Sequence, residues 1–151
     1  MKLKHLENYC KQAFAVAELS PDAEKKVGAI LINKLTGAVL ANGYNGFIRG
    51  AADDKLPKTR PDKYEFIIHA EANLINNCAR HGIRTEDCFV FCTLSPCLNC
   101  TRTLFQSGID TVVFKDEYRG FKDQQDAKDL FYERHQIGEF TVLTVRPRLD
   151  G

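Results

Sequence analysis

Two short segments constrain this chain more than any other feature: HAE at residues 69–71 and PCLNC at residues 96–100. A hydrophobic core has no need for a histidine beside a glutamate or for two cysteines behind a proline, whereas a metal ion does. Cys97 and Cys100 are three residues apart at the expected start of a helix, so both sulfurs can face one point, and His69 opens the preceding helix. Soft thiolate and imidazole ligands select Zn²⁺ over Mg²⁺ or Ca²⁺. We therefore predict a zinc site formed by His69, Cys97 and Cys100.

Glu71 gives the predicted zinc site a catalytic character. Three protein ligands leave a fourth tetrahedral position for water, and zinc lowers the pKa of its bound water to about 7. A carboxylate two residues beyond His69 can take the proton of that water and pass it on. The expected helix start also favours negative charge, which lowers the pKa of thiols placed there. The pattern predicts a nucleophile with Glu71 as its proton shuttle.

Two alternative interpretations of the cysteines have to be considered. The first is a closed structural zinc site, with Cys92, Cys88 or His81 as the fourth ligand; such sites usually draw four side chains from two CxxC-like turns. The second is that the cysteines are only small buried hydrophobic residues. The sequence contains one CxxC segment, and both other cysteines lie in an apolar strand-like run. The joint occurrence of HxE and PCxxC favours the open, catalytic site.

Length and charge limit the class of protein. A chain of 151 residues fits one domain with a single core, so we expect residues 1–151 to form one unit. A formal net charge of +1 argues against a protein that grips long nucleic acid. No apolar run approaches the length of about 20 residues that crosses a bilayer, and charges interrupt the N-terminal segment. Without an export signal, disulfides are not expected, and we predict a cytoplasmic protein without a nucleic-acid or membrane partner.

The hydrophobic pattern predicts an α/β domain. In chain order, we expect a helix whose apolar residues run from Leu3 to Ala17, then a hairpin of VGAILI (27–32) and AVLANGY (38–44), then a helix from Ala70 that ends at Gly82. A strand CFVFCTL (88–94) should follow, and after it a helix that has Ser95 as N-cap and Pro96 as first residue and that stops at Gly108. The remaining expected elements are a strand TVVF (111–114), a fourth helix around Ala127, Leu130 and Phe131, and a last strand FTVLTV (140–145). Strand–helix alternation in the second half predicts parallel strands. The sum is a mixed sheet of about five strands with helices on both faces. The long polar loop at 45–63 leads into the histidine motif, and we expect it to be functional.

Further segments extend the zinc motif into a family resemblance. HxE followed by PCxxC is the signature of zinc-dependent nucleobase deaminases. With GYNG at 43–46, TLSPCLNC at 93–100 and QSGIDTVVF at 106–114, the chain from about Val27 to Phe131 resembles deoxycytidylate (dCMP) deaminases. The resemblance implies a three-layer α/β/α cytidine-deaminase-like fold. It also implies hydrolysis of dCMP to dUMP and ammonia for thymidylate synthesis, with Glu71 as proton donor and acceptor.

The same resemblance suggests which residues bind nucleotides. Substrate contacts are expected at Asn45, Ala70, Ser95 and Tyr118. Many members are hexamers that dCTP activates and dTTP inhibits, with Mg²⁺ on the triphosphate, and the effector contacts expected here are Gly43, Tyr44, Gly46 and Arg49. Asn45 could instead be a simple turn residue, and Tyr44 could stack on the base or only pack. The candidates for binding the substrate phosphate, with Arg49 ranked first, are Lys25, Lys26, Arg49, Lys58, Arg60, Arg119 and Lys122.

Other members of the superfamily are the main rival interpretations. A tRNA adenosine deaminase shares the zinc motif but is expected to carry basic patches that this balanced charge does not suggest. A free-nucleoside cytidine deaminase usually lacks the GYNG loop, and a riboflavin-type deaminase is a weaker alternative. A non-catalytic module stabilised by zinc is the rival from another class, and the presence of Glu71 argues against it.

Overall fold

The computed structural model describes residues 1–117, 129 and 132–145, and these form one mixed sheet between two layers of helices. The helices are α1 (Leu3–Ala17), α2 (Ala70–His81) and α3 (Leu98–Gln106), and the strands are β1 (Gly28–Asn33), β2 (Val39–Tyr44), β3 (Cys88–Leu94), β4 (Thr111–Asp116), β5 (Tyr132–Ile137) and β6 (Phe140–Val145). The strand order is β2-β1-β3-β4-β6-β5. The expected three-layer α/β/α architecture is therefore confirmed.

The sheet has six strands rather than about five. The additional strand, β5, was missed because Glu133, Arg134, His135 and Gln136 give it no apolar alternation, and as an edge strand it is largely exposed. Strands β3 and β4 are parallel, joined through α3, while β1–β2, β1–β3, β4–β6 and β5–β6 are antiparallel. Parallel pairing therefore covers only part of the second half. The expected fourth helix at 127–131 lies outside the described residues, apart from Asp129.

Each face of the sheet carries its own hydrophobic cluster. On one face α1 packs Leu6 against a group that includes Phe91 and Phe140, whose rings meet edge to face with centroids 5.4 Å apart. On the other face Leu74 of α2 and Leu104 of α3 pack among residues of the central strands. Burying one large aliphatic side chain contributes about 1.5–3 kcal/mol. Because β3 lies under helices on both faces, its sequence is an almost unbroken apolar run.

Two glycines let the helices approach the sheet closely. A Cβ atom on Gly28 would lie 2.2 Å from the carbonyl oxygen of Ala13 in α1. A Cβ atom on Gly43 would lie 2.4 Å from the Leu74 nitrogen and 2.5 Å from the Ala70 oxygen in α2. These contacts are too short for any side chain, so the glycines fix how deeply α1 and α2 sit. Gly43 in particular sets the position of the first turn of α2, which carries Glu71.

The helix ends agree with the sequence except at α3. His69 is the N-cap of α2, and Gly82 closes that helix in the left-handed conformation, with φ 66°. Cys97, not Ser95, is the N-cap of α3, because its Sγ accepts a hydrogen bond from the Cys100 N–H at 3.4 Å and the helix begins at Leu98. Within the described ranges, no helix combines the length and apolarity that a bilayer span requires.

Candidate active site

The side chains of His69, Cys97 and Cys100 converge as the sequence predicts. The Nδ1 atom of His69 lies 3.6 Å from Cys97 Sγ and 3.4 Å from Cys100 Sγ, and all three ligand atoms lie within 4.8 Å of one another. Zn–S and Zn–N bonds of about 2.3 and 2.1 Å at a tetrahedral angle separate nitrogen from sulfur by about 3.6 Å. The donor set and its spacing therefore fit a zinc ion.

The local electrostatics favour a thiolate at this cluster. Hydrogen bonds from Cys100 and His69 outweigh burial and lower the pKa of Cys97 to about 3. The hydrogen bond to Cys97 raises the pKa of His69, and the negative sulfur beside it together with burial raises the pKa of Cys100. As pH rises, Cys97 therefore loses its proton first, while Cys100 still keeps its own. A dication placed among the three atoms would relieve this imbalance, since it favours two deprotonated sulfurs.

The alternative fourth ligands do not join the cluster. Among the residues that the structure describes, the group that could hold a metal contains only His69, Cys97 and Cys100. Cys88 instead directs its Sγ to the carbonyl oxygen of Arg84 at 3.8 Å, and Cys92 is fully buried in β3. The cluster therefore has the three-ligand composition of a catalytic zinc site.

Glu71 is held out of water beside the metal cluster. It is the second residue of α2 and only 5 % exposed. Burial raises its pKa, although His69 and Cys100 oppose the shift. The raised pKa favours the protonated carboxyl more than in an exposed glutamate, and general acid–base catalysis requires a group that can hold a proton and give it up.

A cavity of about 590 Å³ opens over the cluster and Glu71. Its volume suits a small molecule such as a nucleotide. The residues that line it come from the loop before β1, the end of β2, the loop before α2, the starts of α2 and α3, and the ends of β3 and β4: Asp22, Glu24, Lys25, Val27, Asn45, Arg60, Lys63, Tyr64, Ile67, His69, Ala70, Glu71, Leu94, Ser95, Cys97 and Glu117.

Asn45 lines the cavity and also organises the loop beside it. Its Oδ1 accepts the Val27 N–H at 2.8 Å, and its Nδ2 donates to the Lys25 carbonyl oxygen at 2.9 Å and to Asp22 Oδ2 at 3.2 Å. The Ser20 hydroxyl donates to the Asn45 carbonyl oxygen at 2.6 Å. Both amide protons of Asn45 are therefore used within the protein, while its oxygen keeps a second lone pair.

A buried ion pair supports the same wall, and sequence reasoning missed it. Lys63 Nζ lies 3.1 and 2.9 Å from the two carboxylate oxygens of Asp22, and both side chains are almost completely buried. Lys63 also bonds Glu24 at 3.2 Å. Burial alone would shift both pKa values toward the neutral forms. Hydrogen bonds from the Glu24 N–H and from Lys63 nevertheless lower the pKa of Asp22, and hydrogen bonds to Asp22 and Glu24 raise that of Lys63. No periodicity marks these residues in the sequence, because Asp22 lies in an irregular loop and Lys63 in a single 3₁₀ turn, Asp62–Glu65.

Of the three other expected substrate residues, two line the cavity and one lies outside the described residues. Ala70 and Ser95 line the cavity. Ala70 is the first residue of α2, so its N–H lacks an intrahelical partner. The Ser95 N–H donates to the Asp116 carbonyl oxygen at 2.8 Å, a bond that ties the end of β3 to the end of β4. Tyr118 lies outside the described residues.

The expected effector residues are not among the residues that line the cavity; Gly43 and Tyr44 end β2, and Gly46 and Arg49 follow it. The Tyr44 carbonyl oxygen accepts a hydrogen bond from Asn73 at 2.8 Å, and Gly46 forms a β-bridge with Ile68. The exposed Arg49 donates to Asn77 Oδ1 at 3.0 Å on the surface of α2. Gly43 is packed against the backbone of α2.

Of the candidate phosphate-binding cations, only two line the cavity within the described residues. These are Lys25 and Arg60. Arg49, which ranked first, lies elsewhere, as do Lys26 and Lys58. Arg119 and Lys122 lie outside the described residues.

Known proteins are similar to this chain in both sequence and fold. Residues 3–116 match the family described as the cytidine and deoxycytidylate deaminase zinc-binding region. Deoxycytidylate deaminase of Homo sapiens is 33 % identical over 132 residues, a match that covers 83 % of this chain and 72 % of the human protein. The crystal structure of dCMP deaminase from the cyanophage S-TIM5 in complex with dCMP and dUMP is 32 % identical, with a TM-score of 0.69, and the match covers 83 % of this chain and 90 % of that chain. Cytidine deaminase from Burkholderia pseudomallei, 20 % identical with a TM-score of 0.52 over 80 % of this chain and 88 % of that chain, shares the fold.

Proposed function

Because the chain belongs to the cytidine and deoxycytidylate deaminase family, we propose that it hydrolyses dCMP to dUMP and ammonia. The observation that carries the proposal is the buried carboxyl of Glu71 beside a His/Cys/Cys cluster, at the base of a cavity large enough for a nucleotide. The similarity to deaminases named for dCMP, above 30 % identity, favours this substrate over cytidine or tRNA adenosine.

Each residue has a chemical role in this proposal. A zinc ion held by His69, Cys97 and Cys100 would act as a Lewis acid that activates water. Glu71 takes a proton from the attacking water as the water oxygen bonds to C4 of cytosine, and delivers that proton to ring N3. It then takes the proton of the new C4 hydroxyl and gives it to the exocyclic amino group, so that the C4–N bond breaks, ammonia leaves and a carbonyl remains at C4. The raised pKa of Glu71 supports both steps, because one group must accept and donate.

Substrate binding follows from the donors and acceptors that remain available. The Ala70 N–H can donate to the carbonyl of the pyrimidine ring. Asn45 can only accept, since both of its amide protons are used, so we assign its Oδ1 to a sugar hydroxyl. Ser95 and Tyr118 complete the expected substrate set on the basis of the family resemblance.

The finer parts of the proposal concern regulation and context. We propose that dUMP supplies thymidylate synthesis, that dCTP with Mg²⁺ activates and dTTP with Mg²⁺ inhibits, and that the enzyme is a hexamer. The effector region would be Gly43, Tyr44, Gly46 and Arg49, whose contacts with α2 give a ligand there a route to Glu71. The cytoplasm is the proposed compartment, consistent with six free cysteines.

One assay tests the activity and its regulation. Zinc-loaded protein is incubated separately with dCMP, cytidine, dCTP and tRNA, and released ammonia is measured. We expect turnover of dCMP, its loss after zinc chelation and its recovery when Zn²⁺ is restored. Added dTTP should suppress this turnover and added dCTP should raise it. A zinc-containing protein that releases no ammonia from any substrate would support the non-catalytic module instead. If neither triphosphate changes the rate of dCMP turnover, the proposed regulation by dCTP and dTTP is wrong.

A further inference from the structure

The cavity wall formed by residues 22–27 and 60–67 carries the charges that a nucleotide phosphate would meet. If the cytosine ring lies against Glu71, the phosphate has to lie farther along the same cavity, so the inference rests on the proposed function. Among the described lining residues, the cationic side chains other than the imidazole of His69 are Lys25, Arg60 and Lys63. The phosphate therefore has to be recognised near this group.

Lys63 is already committed to protein carboxylates. Its ammonium group bonds both oxygens of Asp22 and lies 3.2 Å from Glu24 Oε1, and the side chain is 6 % exposed. An ammonium group has three protons, so these contacts satisfy it. Lys63 thus contributes positive charge to the wall without being free to move toward a ligand.

Glu24 occupies a position in which three donors converge. Its Oε1 accepts the backbone N–H of Arg60 at 2.6 Å as well as the Lys63 ammonium, and its Oε2 lies 3.5 Å from Arg60 Nε. A backbone N–H, a guanidinium and an ammonium are the groups that bind phosphate oxygens. The carboxylate of Glu24 therefore fills an oxyanion site that belongs to the substrate cavity.

We propose that Glu24 competes with the substrate phosphate for Arg60 and thereby limits how tightly the site holds a nucleoside monophosphate. The lining holds three cations, Lys25, Arg60 and Lys63, against three carboxylates, Asp22, Glu24 and Glu117, apart from Glu71. A phosphate dianion carries enough charge to displace Glu24 from the half-exposed guanidinium of Arg60, while Glu24 stays on Lys63. A nucleoside without phosphate leaves the Glu24–Arg60 pair intact. The competition therefore weakens the binding of a phosphate at this site and speeds its release, while a ligand without a phosphate is unaffected.

The inference is tested by the binding of two ligands that are not turned over: dUMP, the proposed product, and deoxyuridine, which differs from it only in lacking the phosphate. Zinc-loaded wild type, Glu24→Gln and Glu65→Gln are titrated with each ligand by calorimetry. Glutamine keeps the acceptor oxygen for the Arg60 N–H but removes the charge. We expect Glu24→Gln to bind dUMP about 3- to 10-fold more tightly and deoxyuridine with unchanged affinity. Glu65→Gln makes the same charge change on the exposed face of the neighbouring turn and should change neither affinity.

The outcomes separate the possible roles of Glu24. Weaker or unchanged binding of dUMP by Glu24→Gln overturns the competition, as does equal tightening of both ligands. An equal gain in Glu65→Gln would assign the effect to overall charge and also overturn it. The proposed function is judged separately, by ammonia release from dCMP in the wild type, so failure of one is distinguishable from failure of the other.

Discussion

The carboxyl of Glu71 combines two properties that oppose each other in a protein interior. It is almost completely buried, which disfavours the charged form, yet it lies in a cluster with an imidazole that favours it. Burial is the larger influence, so the pKa of Glu71 is raised and its protonated form is favoured relative to an exposed glutamate. A buried carboxyl without a reaction to serve would be replaced at little cost by an apolar residue.

Replacing Glu71 with glutamine should separate chemistry from structure. The amide has the same shape but cannot carry a proton between atoms, so we expect kcat for dCMP to fall by about 10²- to 10⁴-fold. Zinc content, measured by atomic absorption, and the thermal midpoint should stay at wild-type values because the three ligands are unchanged. Turnover retained within a few-fold would show that another group moves the proton.

At the scale of elements, the site depends on how the first turn of α2 meets the end of β2. Asn73 of α2 donates to the Tyr44 carbonyl oxygen at 2.8 Å, and Gly43 brings the strand against the helix backbone. Helix α2 therefore cannot move relative to the sheet without losing these contacts. Glu71 and its N-cap neighbour His69 take their positions from this packing.

Gly43→Ala should disturb the site through the helix. The new methyl group would lie 2.4 Å from the Leu74 nitrogen, so α2 has to shift. Overpacking of this kind costs about 1–3 kcal/mol of unfolding free energy, and a displacement of about 1 Å at a catalytic group can cost about 10²-fold in rate. Denaturant unfolding and dCMP turnover measure the two effects.

Gly46→Ala provides the matched control in the same segment. A Cβ atom there meets no atom closer than 3.4 Å, at the ring of Tyr44. We expect stability and turnover close to wild type. Equal losses in both variants would mean that the segment tolerates no side chain for reasons other than the approach of α2.

The sequence could predict those features that a short run of neighbouring residues determines, but not those that depend on residues far apart in the chain. The convergence of His69, Cys97 and Cys100 was predictable because each lies at a helix start that a short motif marks. Strand β5 was not predictable, since an edge strand with alternating exposure and polar residues resembles a loop. The pairing of Asp22 with Lys63 joins residues 41 apart, one in an irregular loop and the other in a short 3₁₀ helix, and no spacing rule links them.

At the scale of the whole molecule, the Asp22–Lys63 pair joins two loops that precede and follow the first hairpin and meet at its open end, where Gly28 pairs with Tyr44. One loop follows α1 and the other precedes α2, and together with Asn45 they form the cavity wall away from the metal cluster. A buried pair contributes little net stability compared with apolar residues, but removing one partner leaves an uncompensated charge. The wall therefore depends on both residues being present.

Lys63→Met should lower the free energy of unfolding by about 3–5 kcal/mol at neutral pH, measured with denaturant on zinc-loaded protein. The folded-state pKa of Asp22 is depressed, so its contribution to stability is present above its unfolded pKa and is lost as pH falls through the folded value. In the variant, Asp22 is buried without its partner, and protonating it removes the penalty. The difference between wild type and variant should therefore shrink below about pH 4, near the ordinary pKa of an aspartate.

Lys25→Met, at an exposed lysine of the same wall, should change stability by less than about 0.5 kcal/mol at every pH. A deficit that persists unchanged into acid would mean that Lys63 stabilises the wall through packing of its methylene chain rather than through Asp22.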